Sequence, residues 1–294
     1  MRPTRVLLTV FVVAGTLSAL AALVSADRAA AQSALVASAA LIGYVLVVGP
    51  AAPRVRPALA AGIALLALPT AVELWRGSAE PATRRLLIPF YAPLDGAAAS
   101  TGRPALPPPI LDQWRQALDQ ERLASVALLL GILCLAVAVL ALPVRQRRKA
   151  TVLARGVAVL LLVVVGADVW SRVDGEPLLG LLGAGWPALL ATVAAAAVLA
   201  VSASRADRTG LVPLGALLVT VSAAVALHDL VRGWSTWWRF ANPDDSVFLS
   251  AGVATSLAGL VDVSAALLAT VTLAGPLLLA VGALRAARTA AGPT

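Results

Sequence analysis

The chain has 294 residues, 60% of them hydrophobic and 13% charged, with a formal net charge of +8 and a mean hydropathy of +0.90. That balance excludes an ordinary soluble domain, which is about half apolar and about a quarter charged, and it excludes disorder, which needs a polar chain. One cysteine, Cys134, permits no intrachain disulfide, and one histidine, His228, permits no His/Cys metal cage.

The apolar residues come in long blocks. Val6–Val24 carries no charge over 19 residues, about 28 Å as a helix, enough to cross a hydrocarbon core of about 30 Å. Further blocks lie near 33–49, 58–74, 123–143, 151–170, 178–203, 211–231 and 262–284. In lipid every backbone N–H and C=O must be paired within its own segment, so each block is expected to be a helix. The absence of strict alternation argues against a β-barrel. The expected fold is all-α, a polytopic transmembrane bundle of eight spans. Arg2 and Arg5 before the first block resemble the start of a signal peptide, and Val24-Ser-Ala26 would suit its removal. The block is longer than the usual 7–15 apolar residues, so a retained first helix is expected.

Charge sets the expected orientation, because Lys and Arg beside a span resist translocation. With the N-terminus inside, the inner side receives Arg2, Arg5, Arg54, Arg56, Arg145, Arg147, Arg148, Lys149, Arg155, Arg205, Arg208, Arg285 and Arg288, with Asp207 the one acid. The other 10 basic residues and 14 acids fall outside, so the +8 divides into +12 inside and −4 outside. Both termini are then cytoplasmic. Arg145, Arg147, Arg148 and Lys149 form the densest run, a candidate contact for anionic lipid headgroups. The pI of 11.2 reflects these short connections, so no nucleic-acid partner is expected. Arg outnumbers Lys 22 to 1 and Ala is abundant, which suggests a bacterial plasma membrane.

The connections repeat. They run short, short and long at 25–32, 50–57 and 75–122, and again at 171–177, 204–210 and 232–261. Glu73-Leu-Trp-Arg-Gly77 closes the third span as Asp229-Leu-Val-Arg-Gly233 closes the seventh, and Val24-Ser-Ala-Asp27 is echoed by Val165-Gly-Ala-Asp168. A 4+4 parallel internal repeat is expected, with halves 1–143 and 144–294. In the first long connection, Leu86–Tyr91 reads as an interfacial segment and Pro104–Pro109 as a stiff spacer. Ile110–Arg122 reads as a short interfacial helix, with Leu111, Trp114 and Leu118 on one face. In the second, Trp234, Trp237, Trp238 and Phe240 read as an interfacial belt or, alternatively, a partner-binding patch. Ser246–Leu260 reads as re-entrant or interfacial. Gly15, Gly43, Gly131, Gly215 and Gly275 offer close helix crossings, and Pro69, Pro187 and Pro276 offer kinks.

Ionisable groups near the spans are Glu73, Asp168, His228, Asp229 and Asp262, with Asp27 at the edge, all near outer helix ends. Four acids have an Arg within a turn: Asp27/Arg28, Glu73/Arg76, Asp168/Arg172 and Asp229/Arg232. The plain reading is interfacial pairs that reach the headgroups. The sharper one makes Glu73, Asp168, His228 and Asp229 a shared ion- or solute-binding vestibule, in which a histidine changes charge near neutral pH. There is no Gly-rich phosphate loop, nucleophile–His–acid set or metal-ligand cluster, and no cofactor is expected. The leading expectation is a non-catalytic accessory or scaffold subunit of a cell-envelope complex, with the bilayer and other envelope proteins as partners. A transporter or channel using the outer acids is the alternative. A lipid-linked membrane transferase built around Asp27 is the least favoured reading.

Overall fold

The structure, a computed structural model, describes residues 3–48, 55–75, 108–144, 148–171, 178–205, 209–241 and 263–290. Among these residues there are eight α-helices and no strands: α1 (Pro3–Leu23), α2 (Asp27–Val47), α3 (Val55–Trp75), α4 (Pro108–Leu140), α5 (Arg148–Ser171), α6 (Leu178–Ser202), α7 (Leu211–Ala241) and α8 (Val263–Ala290). Each apolar block maps to one helix, and all eight are long and apolar enough to cross a membrane. The helices run through Pro69, Pro187 and Pro276. Leu86–Tyr91, Ser246–Leu260 and Asp262 lie outside the described residues. So do residues 104–107, whereas Pro108 and Pro109 open α4, where a missing N–H costs nothing.

Neighbouring helices pack antiparallel. Gly43 near the end of α2 faces Leu7 near the start of α1, and Gly282 late in α8 faces Val212 at the start of α7. The starts of odd-numbered helices and the ends of even-numbered ones therefore share one end of the bundle, the arginine end. The acids gather at the other. α4 packs on α3, α6 and α7, while α8 packs on α1, α2, α3 and α7. A continuous core joins the two groups through Leu41, Leu59, Ile132, Leu135 and Leu279, each under 2% exposed.

Two crossings require glycine. A Cβ on Gly62 would lie 3.0 Å from the Gly131 carbonyl oxygen, and one on Gly131 would lie 3.1 Å from that of Gly62. On α7, a Cβ on Gly215 would lie 2.5 Å from the Leu279 nitrogen. Backbones this close gain dispersion contacts, the main source of helix association where no hydrophobic effect operates between helices.

The interior is dry in character. Among the described residues, the buried polar side chains are the hydroxyls of Ser18, Ser125, Thr151, Thr192, Ser202, Thr220 and Ser235. Most bond to carbonyls of their own helix, as Thr220 does to Ala216 at 2.8 Å. Two link helices: Ser18 donates to Ala30 of α2 at 2.9 Å, and the Thr192 hydroxyl lies 3.1 Å from the Ala223 carbonyl of α7.

At the arginine end, two guanidinium groups close helix termini. Arg56 Nη2 donates to the Leu46 carbonyl in the last turn of α2 and to that of Val48 just beyond it. Arg205 Nη1 donates to the Leu140 carbonyl and, at 2.9 Å, to that of Leu142, holding the ends of α6 and α4 together. A cation at a helix C-terminus satisfies orphan carbonyls and opposes the negative end of the macrodipole. Arg205→Met, which keeps the stem but removes the donors, is expected to cost about 1–2 kcal/mol. Chemical denaturation in detergent measures it, and a cost below about 0.3 kcal/mol would remove this role.

α4 and α7 are the longest helices, with 33 and 31 residues, about 50 and 46 Å. They exceed the others at the acid end, where they run side by side. This revises the expected boundary of the seventh span at 231. The charges at 228–232 read as a span end, yet no breaker follows before Pro243 except Gly233, and the helix continues to Ala241. Trp234, Trp237, Trp238 and Phe240 therefore lie on a helix and not in a loop.

Candidate functional site at the acid end

The α4 extension is amphipathic. Trp114, Ala117 and Leu118 are buried at spacings of three and four, while Asp112, Arg115 and Asp119 are exposed. Its apolar face meets α7: a Cβ on Gly233 would lie 3.0 Å from Leu118. The Arg115 guanidinium sits 5.9 Å from the Trp237 ring centroid, within cation–π range. Trp237 in turn stands 5.1 Å from Trp234, centroid to centroid, tilted by 38°. The expected interfacial helix is thus one continuous rod with the fourth span, its apolar face taken up by α7.

Trp234 points inward, packing on a small apolar cluster of Ala188, Leu227, Leu230 and Val231, with Val165 and Val169 of α5. Trp237 is half-exposed beside Arg115. Among the described side chains, the exposed tryptophans are Trp75, Trp170 and Trp186, at 87%, 72% and 42% exposure, on three other helices of the same end. The sequence signal for them was their position at span ends, which the clustered rings after 233 overshadowed. The side chains of Trp238 and Phe240 lie outside the described set.

The candidate acids divide into two groups. Glu73 of α3 and Asp229 of α7 are both exposed and are joined by Glu121 of α4, close enough that the charges of Asp229 and Glu73 both act on its carboxyl. Sequence reading missed Glu121 because it lay in the interfacial segment, one turn above the fourth span. The heptad of small steps from Trp114 through Leu118 to Glu121 and Ser125 marks the face that carries it. Arg232 follows Asp229 by three residues on the same helix.

Asp168 reaches across to another helix. Its Oδ2 lies 2.8 Å from His228 Nδ1, a bond from α5 to α7. The intrahelical partners expected for Glu73 and Asp168, Arg76 and Arg172, lie outside the described residues, as does Asp262. Asp27 sits in the first turn of α2, where an acid complements the helix dipole. A carboxylate on Nδ1 fixes the imidazole tautomer and leaves Nε2 as the other polar atom. Few other contacts hold the end of α5, so Asp168→Asn or His228→Phe is expected to loosen it. Both groups are part-exposed, which limits the cost to about 1 kcal/mol. Faster amide exchange over the last two turns of α5, with α7 unchanged, is the expected reading; equal rates in native and variant would remove the tie.

At the arginine end, Arg148 and Lys149 are exposed at the start of α5, while Arg145 and Arg147 lie outside the described residues. No group of three or more His, Cys, Asp or Glu side chains suited to a metal ion occurs among the described residues. No protein-family model, curated protein or solved structure matches the chain.

Proposed function

We propose that the chain is a multi-pass protein of a bacterial plasma membrane, with both termini cytoplasmic, serving as a non-catalytic accessory or scaffold subunit of a cell-envelope complex. The observation that carries this reading is the α4–α7 pair. Both helices outrun a hydrocarbon core of about 30 Å by roughly 15–20 Å, and they do so at the same end, locked by Leu118 against Gly233 and by Arg115 over Trp237. A locked two-helix post whose α4 side turns Asp112, Gln113, Arg115, Gln116 and Asp119 outward is a surface held in place before any partner arrives, which lowers the ordering cost of binding. The membrane reading is supported by eight apolar helices and by exposed Val12, Val13, Leu17, Val159, Leu160 and Val163 on helix faces that lipid would cover. Exposed tryptophans at one end and arginines at the other agree with a headgroup belt and the positive-inside rule.

A 4+4 repeat fits part of the packing. α4 lies on α6 and α7 as α8 lies on α2 and α3, and the equivalent pairs α3/α4 and α7/α8 both cross at glycines. α1 also packs along α8, whereas α5 makes no comparable contact with α4, so a repeat of this kind would have unequal halves.

A photoreactive residue in place of exposed Gln116, activated in intact cells, tests the scaffold reading. A single stoichiometric envelope partner is expected, and crosslinks only to lipid would overturn it. The convergence of Glu73, Glu121 and Asp229 favours a second reading, a carrier or channel that takes a cation or cationic solute at this end. Flux by the lone reconstituted protein, abolished by replacing Glu73 and Asp229 with Gln and Asn, would displace the scaffold.

A further inference from the structure

Of the eight helices, α5 is the least covered by the rest of the bundle. Only Thr151, Ala154 and Ala158 are buried, while Val152, Leu153, Val159, Leu160, Val163 and Val164 are open. The arginine end of this open face carries three cations. Arg148, Lys149 and Arg155 are all exposed, and none makes an ion pair with another described residue. This sets them apart from Arg56 and Arg205, which are engaged with carbonyls.

The positions of the three are related by helix geometry. Residues 148, 152, 155 and 159 fall on one stripe, and Arg155 stands about 10 Å further along the axis than Arg148. In a bilayer Arg155 would lie within the apolar region beside Val152 and Val159, so its stem must run back toward the headgroups. Its guanidinium then approaches Arg148 and Lys149 at one level. Next to this stripe is Gly156, where an added Cβ would meet nothing within 4 Å. The missing side chain there leaves a shallow notch between Val152 and Leu160.

We infer that the arginine end of α5 is a binding site for an anionic phospholipid, its phosphate held by Arg148, Lys149 and Arg155 and one acyl chain lying over Gly156. The occupant follows from complementarity: three cations with no ion-pair partner among the described residues, directly above an apolar face, match a ligand that is anionic at one end and apolar at the other. A free phosphate satisfies only the first half, and a second copy of this chain, basic at the same end, would bring like charges together.

The inference rests on the membrane reading, and the experiment separates the two. The full chain is purified in a mild uncharged detergent, titrated with phosphatidylglycerol or phosphatidylcholine, and weighed by native mass spectrometry. Native protein is expected to retain phosphatidylglycerol selectively. Roughly fivefold in affinity for each basic residue at an anionic surface gives about a 100-fold loss for Arg148→Gln, Lys149→Gln and Arg155→Gln together. Gly156→Leu, which fills the notch without an internal clash, should weaken retention while leaving the unfolding temperature unchanged. Arg285→Gln with Arg288→Gln, an exposed pair at the same end, should leave it near native. Equal retention by the triple variant, equal loss in the α8 pair, displacement by inorganic phosphate, or a mass of two chains in place of the lipid adduct would each overturn the site. A chain that stays monodisperse without detergent would overturn the membrane reading itself.

Discussion

Gly215→Leu is expected to lower the unfolding temperature by on the order of 6 °C or more, the equivalent of about 3 kcal/mol in a chain of this size. The cause is geometric. The first side-chain carbon would lie 2.5 Å from the Leu279 nitrogen and 2.8 Å from the Gly275 carbonyl oxygen, and backbone cannot turn aside as a side chain can. α7 and α8 must separate, exposing Val212, Leu279 and Ala283, which are fully buried. Gly166→Leu is the matched control, because a Cβ there would meet nothing within 4 Å. Thermal unfolding followed by tryptophan fluorescence in detergent measures both. A Gly215 variant that melts with the native protein would mean that the α7/α8 crossing is looser than described.

Leu118→Asp is expected to free the α4–α7 post while leaving the eight-helix bundle intact. Leu118 is 1% exposed and fills the space over Gly233. A carboxylate there loses the apolar contact and is left buried without a partner, a cost of about 3 kcal/mol. That corresponds to roughly a 100-fold faster amide exchange over 112–122 and 233–241 if these stretches open as a unit. Exchange in the core of α2 and α8 should stay at native rates. Under the scaffold reading the crosslinked partner disappears along with the protection. Unchanged protection would show that Leu118 does not hold the post, and lost protection with the partner still bound would move the docking surface elsewhere.

The bundle was legible in the sequence because its signal is redundant. A span announces itself through some twenty apolar residues, and a mislaid boundary does not erase it. Each of the eight blocks lies on a helix of the structure. The end of α7 was not legible, since His228, Asp229 and Arg232 are what a helix leaving an apolar environment looks like. Whether such a helix stops or continues depends on a neighbour to pack against, and α4 supplies one. The same dependence hid Glu121. On a lone amphipathic segment it is an ordinary solvated residue, and it joins Glu73 and Asp229 only because the extension of α4 lies against α7. Asp168 shows the converse. Its 2.8 Å bond to His228 on another helix was hidden because the spacing of residues within a helix carries no information about rotation between helices.

The composition of the buried polar set has an electrical consequence. With seven hydroxyls and no ionised group among the described buried side chains, a bundle set in a membrane as proposed would hold no described interior charge for the voltage to act on, and the potential drop would fall across its apolar length. Moving an elementary charge through all of that drop is worth about 2.3 kcal/mol per 100 mV. A cation that reaches Glu73, Glu121 and Asp229 from their own side crosses only a small fraction of it. Occupancy there should therefore scarcely respond to energising or collapsing the membrane, whereas a step that carried the ion onward would respond steeply.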